Sequence, residues 1–351
     1  MKKFLLPLLS LIVASAPVAQ PPAVEPNHDS LHFPGESRLA NIRQLSFGGQ
    51  NAEAYFSSDG SEISFQSQRD GHNCDAIYVM KSDGSDVRMV SSGEGATTCS
   101  FIAPDGKTII YASTHLGGVD CPLRPDMSKG YVWAVYKSYD IFAVDIDGKH
   151  RRRLTTADNY DAECVYSPKG DKIIFTSARD GDLELYTMNP DGSNQTRITH
   201  EPGYDGGAWF SADGKRICWR ASRPKDSALV EYRSLLAEGL VKPSRMEIYV
   251  ADADGKNRVQ LTDNNRANFC PYFHPSGNYL IFASNMNDPK GRNFDIFTID
   301  IATKKIEQIT FCDSFDAFPM FSSDGSKVVF ASNRNGKVPG ETNIFIADWV
   351  K

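Results

Sequence analysis

This chain lacks a second hydrophobic run. Beyond Phe4–Val13, no segment is long and apolar enough to span a bilayer. It has no CxxC pair, no HExxH or H-x-H pair and no G-x-S-x-G elbow, so the usual sequence signs of a cysteine metal site, a zinc hydrolase or an α/β-hydrolase are missing. It also lacks a positive excess. Lys and Arg number 38 against 44 Asp and Glu, giving a formal charge of −6. An acidic surface argues against nucleic acid and anionic membranes as partners. No metal and no cofactor is expected.

The N-terminus reads Met1-Lys2-Lys3, an apolar run, then Ala14, Ser15 and Ala16. This is the pattern of a secretory signal peptide over residues 1–19, with Pro17 disturbing cleavage after either Ala16 or Ala19. No Cys follows the run, so no lipid anchor is expected. Losing Lys2 and Lys3 would take the charge from −6 to −8. The mature protein is expected to be soluble, monomeric and periplasmic or secreted. Residues 20–38 are Pro-rich and polar, and read as an extended tail.

From residue 39 to 351 one phrase recurs six times. Its first half reads AYFSSDGSEISFQS, SFIAPDGKTIIYAS, VYSPKGDKIIFTS, WFSADGKRICWRAS, YFHPSGNYLIFAS and MFSSDGSKVVFAS. Two apolar strands flank a tight turn at Gly60, Gly106, Gly170, Gly214, Gly277 and Gly325. Third strands follow as AIYVM, DIFAV, ELYTM, EIYVA, DIFTI and NIFIA. Five fourth strands follow in place; the sixth is found upstream, at Asn41–Ser46. Repeated short strands without interleaved helices predict an all-β, six-bladed propeller of four-stranded blades. The N-terminal strand would close the last blade and remove an open sheet edge.

The turn glycines are 46, 64, 44, 63 and 48 residues apart, which places insertions in blades 2 and 4 at about 115–138 and 224–244. Both lie between second and third strands, on one face of the disc. The first carries Tyr131, Trp133 and Tyr136; the second has Leu229, Tyr232, Leu236 and Leu240 at helical spacing, predicting a helix over Ser227–Leu240 that packs on the rim.

The SPDG-like turn, the D-[IL]-[YF]-x-[MV] third strand and the [NR]-x-[RQ]-[LI]-T fourth strand resemble the TolB-type propeller repeat. The resemblance covers about residues 39–351. It implies an exported propeller that binds a protein. The family's namesake binds a peptidoglycan-associated lipoprotein, and has an N-terminal α/β domain and a segment that contacts an inner-membrane partner. Between signal peptide and propeller this sequence leaves room for a tail but not for that domain. Similar propellers also precede the catalytic domains of some serine peptidases. A fold shared so widely does not fix function.

Function must then sit where the copies differ. Nine residues before each turn glycine stand Asn51, Thr97, Asp161, Asp205, Asn268 and Asp316; nine after it stand Arg69, His115, Arg179, Arg223, Met286 and Arg334. Each Asp blade has its Arg. Two readings follow: ion pairs within each blade, or a ring of charge gripping a partner. Beside the first column lie Tyr160, Tyr204 and Phe315, read either as interface aromatics or as packing between blades. Two positions further come Glu53, Cys99, Glu163, Gly207, Cys270 and Phe318, expected to face the channel. Glu53 and Glu163 would there hold a cation with water, or lie solvated or bonded to backbone amides. The seven cysteines include Cys164 and Cys218, read as buried small hydrophobes. Cys74 and Cys121, in loops of blades 1 and 2, form the preferred disulfide, with Cys99 the competing partner. The Asp145 and Asp252 turns resemble calcium loops only faintly and read as ordinary hairpin turns.

The expected function is a non-catalytic scaffold that binds an envelope protein or glycan-linked partner. Its binding face would comprise Asp161, Asp205, Asp316, Arg69, Arg179, Arg223, Arg334, Tyr160, Tyr204, Phe315 and Trp133, around channel residues Glu53 and Glu163. The alternative is a propeller enzyme, a polysaccharide lyase or hydrolase using top-face Arg, His200 and Tyr204.

Overall fold

The computed structural model describes residues 31–313 and 315–351. Residues 1–19, read from the sequence as a signal peptide, and residues 20–30 of the expected tail lie outside the described residues. Six four-stranded antiparallel sheets form the propeller. Their innermost strands are Gln50–Phe56, Thr97–Ile102, Asp161–Tyr166, Asp205–Phe210, Asn268–Phe273 and Asp316–Phe321. The sixth blade takes its outer strand, Leu39–Gln44, from the N-terminus, paired antiparallel with Asn343–Trp349. Closure at the N-terminal strand is thus present, with the strand beginning two residues earlier than the repeat alone indicates.

The repeated residues have identifiable tasks. In the turns, Asp59 and Asp324 accept hydrogen bonds from the Ser61 and Ser326 amides at 3.0 and 2.9 Å, while Gly60 and Gly325 take φ of +72° and +69°. The Ser or Thr that ends each fourth strand bonds its own blade's third strand. Its hydroxyl accepts from the amides of Ile77, Ile141, Leu185, Ile248, Ile296 and Ile344 at 2.8–3.0 Å. For Ile344 the acceptor is Ser46, so the N-terminal strand supplies the same contact as its five counterparts.

The end of the tail is built into the ring. Leu31 and Glu36 are buried. Arg334 donates to Glu36 at 2.9 Å, to the Leu31 carbonyl at 3.0 Å and to Asp316 at 3.1 Å. A buried cation between two carboxylates thus ties residues 31–36 to blade 6.

The long segments between second and third strands of blades 2 and 4 meet. Trp133–Ala134 of the first pairs with Leu240–Val241 of the second, antiparallel. The Val135 amide also donates to the Gly239 carbonyl at 2.7 Å. The helix runs Asp226–Ala237; Leu240 lies beyond it, in the bridging strand. Tyr232 and Leu235 are its buried residues, and Tyr232 clusters with Ala178, Leu183 and Tyr204 of blades 3 and 4. Cys74 and Cys121 form a disulfide joining a blade 1 loop to the first insertion. Among the described residues no helix is long and apolar enough to cross a membrane.

Candidate functional site

Every innermost strand carries a bulge at the same place, where its register with the second strand slips. The bulged residues are Glu53, Cys99, Glu163, Gly207, Cys270 and Phe318, with φ between +52° and +62°. A left-handed residue within a strand redirects its side chain. All six line one cavity of about 520 Å³ at the insertion-bearing mouth of the channel.

The cavity is blind. Two residues further along four of the strands, Tyr55, Phe101, Trp209 and Tyr272 meet across the axis. The Trp209 ring lies 4.7, 5.3 and 5.1 Å from the other three, edge-on in each case. Such edge-to-face packing is a favoured aromatic geometry. Trp209 and Val165 also line a smaller cavity, about 200 Å³, on the turn side. The waist therefore separates two cups.

The first insertion walls part of the upper cup, and the second is attached to it through their paired strands. Tyr131, Trp133 and Ala134 form part of its wall, with Tyr139, Tyr160, Phe269, Phe294 and Phe315. The Trp133 ring packs 5.1 Å from Phe269. Of the aromatics singled out in the sequence, Tyr160, Phe315 and Trp133 thus face inward. Tyr204 is buried beside them, its hydroxyl directed at Glu163.

At the cup's wall Glu163 forms an ion pair with Arg220. It also accepts from Thr176 at 2.7 Å, the Gly207 amide at 2.9 Å and Tyr204 at 3.0 Å. Arg220 donates to the Tyr204 hydroxyl at 2.7 Å and lies over the Trp133 and Tyr204 rings at 5.4 and 5.3 Å. Gly206 and Gly207 make this arrangement possible. A Cβ on Gly207 would stand 1.9 Å from Arg220 Nη1, and one on Gly206 2.5 Å from Glu163 Oε2.

Glu53 is different. The residue is partly buried, but its Oε2 is shielded from solvent and has no hydrogen-bond partner. Desolvation, reinforced by the Glu163 charge, raises its pKa to about 7, against a bond from Cys99 and the attraction of Arg220. Nearby Asp75 accepts from Gln66 at 3.0 Å, and burial raises its pKa to about 6. Burial likewise pushes the Cys99 thiol far up and Cys270 to about 12, so neither is an activated nucleophile. Among the described residues no group of three or more His, Cys, Asp or Glu is placed to hold a metal ion. All the acceptor bonds Glu163 makes go to protein donors.

The Asp and Arg columns pair within blades. Asp161–Arg179, Asp205–Arg223 and Asp316–Arg334 are 2.9, 2.7 and 3.1 Å apart, and Arg69 donates to Asn51 at 2.9 Å. The three aspartates are fully buried, and burial raises all their pKa values, Asp205 to about 7. These pairs tie the first strand to the loop after the second. Arg179 and Arg223 remain partly exposed, whereas Arg334 is enclosed.

Arg220 was not marked by the Asp and Arg columns. Its signal lies in another, six residues after the turn glycine: Gln66, Ala112, Thr176, Arg220, Ala283 and Ala331. Three blades place Ala there, and three place a polar group that bonds a cup residue. Gln66 accepts from the Cys99 amide at 3.3 Å, while Thr176 and Arg220 hold Glu163.

The sequence family described as the TolB beta propeller domain matches residues 121–238 and 240–346. The chain belongs to this family. Among solved structures it is similar to a putative TolB from Agrobacterium tumefaciens, with 17% identity over 88% of this chain and 97% of that one, at a TM-score of 0.58. TolB from Acinetobacter baumannii matches with 20% identity over 87% and 65% of the two chains, TM-score 0.55. An oligogalacturonate lyase from Vibrio parahaemolyticus matches with 13% identity over 88% and 93%, TM-score 0.52. Identities this low speak for the shared propeller fold alone.

Proposed function

We propose that this TolB-family propeller is an exported, non-catalytic binding scaffold that captures an envelope protein or glycan-linked partner through its insertion-bearing face. The observation carrying this reading is the aromatic-walled cup at that face, walled in part by the first insertion, to which the second is paired. The repeat alone has no use for either insertion, yet they interlock where the channel opens. A protruding group of a partner would enter the cup while the insertions and the rims of blades 2–4 meet the surface around it. Interface cores of this kind combine aromatic anchors with a polar rim.

Catalysis as a lyase or hydrolase needs a free base within reach of substrate. Among the described residues no histidine lines the cup; Arg220 is paired with Glu163, and burial raises the Tyr204 hydroxyl far above its usual pKa, which leaves the acids Glu53 and Asp75 as the candidate bases. Proton transfer by Glu53 would need a second group to complete the reaction, and the cup's Arg220 and Glu163 are held by each other, which favours binding over chemistry.

The test uses immobilised protein in a native envelope extract, comparing the wild type with a Tyr131→Ala/Trp133→Ala variant of equal melting temperature. The proposal expects a retained partner that the variant loses. Equal retention by both would overturn it.

A further inference from the structure

Resting on that reading, we propose that the cup takes a cationic group, an ammonium or guanidinium presented beside a hydrogen-bond acceptor. Four charged side chains line it: Glu53, Asp75, Glu163 and Arg220. Glu163 and Arg220 neutralise each other. That leaves two acids, Glu53 and Asp75, both ionised once the pH exceeds about 7, in a wall otherwise rich in aromatic faces. Aromatic faces and acids together are the surroundings in which cations bind well.

Among the described residues, three polar side-chain atoms of cup-lining residues lack hydrogen-bond partners: Glu53 Oε2, Ser100 Oγ and Arg220 Nε. Glu53 Oε2 is an acceptor shielded from water with nothing bonded to it. Arg220, almost completely buried, leaves its Nε–H unsatisfied. A buried polar group without a partner costs free energy, about 1–3 kcal/mol as a general figure. A ligand answering the two charged residues would place a cation at Glu53 and an acceptor, such as a carbonyl, at Arg220. A lysine or arginine side chain on a partner protein, flanked by backbone carbonyls, has this chemistry. So does a small free amine carrying an acceptor.

The aromatic wall selects further. Tyr131, Trp133, Tyr139, Tyr160, Phe294 and Phe315 come from blades 2, 3, 5 and 6 and from the first insertion. Trp133 already stacks on one guanidinium, that of Arg220. An anionic group would meet two carboxylates, with the one guanidinium already paired.

The experiment titrates the full mature chain at about pH 8, where Glu53 is ionised, with N-acetyl-lysine amide, N-acetyl-arginine amide, N-acetyl-norleucine amide, N-acetyl-glutamate amide and n-butylamine, read by calorimetry and by Trp fluorescence. The expected result is saturable millimolar binding of the lysine or arginine amide, about tenfold tighter than norleucine amide. Glu53→Gln should abolish that preference, and Trp133→Leu should weaken both cationic ligands. A lysine amide stronger than butylamine assigns the cation to a protein side chain; equality assigns it to a free amine, and either supports the shared chemistry. Norleucine or glutamate amide binding as well as the cations, a preference that survives Glu53→Gln, or no saturable binding would each overturn the proposal. Loss of partner capture in the Tyr131→Ala/Trp133→Ala variant, measured separately, would then leave the scaffold reading standing.

Discussion

Replacing Gly207 by Ala isolates what holds the Arg220–Glu163 pair. The backbone itself is not the obstacle. Five other blades place Glu53, Cys99, Glu163, Cys270 and Phe318 at this position with φ of +52° to +57°, so the bulge tolerates side chains. The obstacle is Arg220, whose Nη1 would lie 1.9 Å and Cζ 2.9 Å from the new Cβ. Left-handed alanine costs roughly 1 kcal/mol. Arg220 must also withdraw from Glu163 and the Tyr204 hydroxyl. Breaking a buried pair outright costs about 3–5 kcal/mol, and partial retreat costs less. Together these give about 2–4 kcal/mol for Gly207→Ala. The decisive comparison is a cycle with Arg220→Met, read by urea unfolding with Trp fluorescence. Once Arg220 is gone the clash is gone, and Gly207→Ala should cost only about 1 kcal/mol, leaving a coupling of roughly 1–3 kcal/mol. Additive costs in the two backgrounds would refute the claim that this glycine exists to admit the guanidinium.

Three further outcomes are expected. Glu53 has a folded pKa of about 7 against an ordinary 4.5, so its contribution to stability is fully present below pH 4.5 and is lost as pH rises through 7. Glu53→Gln should therefore match the wild type near pH 4 and exceed it by about 1–3 kcal/mol at pH 8; an equal gain at both pH values would contradict this. The disulfide closes a loop with a separation of 47 residues, so Cys74→Ala/Cys121→Ala should cost up to about 4 kcal/mol, and the unreduced, denatured wild type should titrate five thiols. Glu36→Ala removes one of the acceptors of Arg334 and that of the Phe33 amide, and should cost about 2–3 kcal/mol with increased proteolysis near residue 40; an unchanged unfolding midpoint would show that the tail's anchor is dispensable.

The fold was legible because the repeat repeats its packing. Gly60 and its equivalents, the terminal Ser or Thr of each fourth strand and the displaced strand at Leu39–Gln44 each have a local reason that survives in sequence. The candidate site was legible only in part. Its channel column, Glu53 through Phe318, follows from strand alternation and alignment. The bulge that turns those side chains inward does not, because Glu, Cys and Phe are unusual in left-handed backbone and give no signal of it. Arg220 was hidden among strand residues as one polar member of a column half filled by Ala. The meeting of Trp133–Ala134 with Leu240–Val241 joins segments more than a hundred positions apart, and no local pattern specifies such a pair. Glu36 was obscured because it sits in a Pro-rich polar stretch whose composition reads as tail.

The central claim, that the upper cup is where the partner docks, is most directly tested by photo-crosslinking in living cells. A photoreactive residue at Tyr131, on the wall of the upper cup, would be compared with one at Ser323, on the turn-side cup. The account predicts a discrete crosslinked partner from Tyr131 and none from Ser323. Crosslinking from Ser323 alone would contradict it.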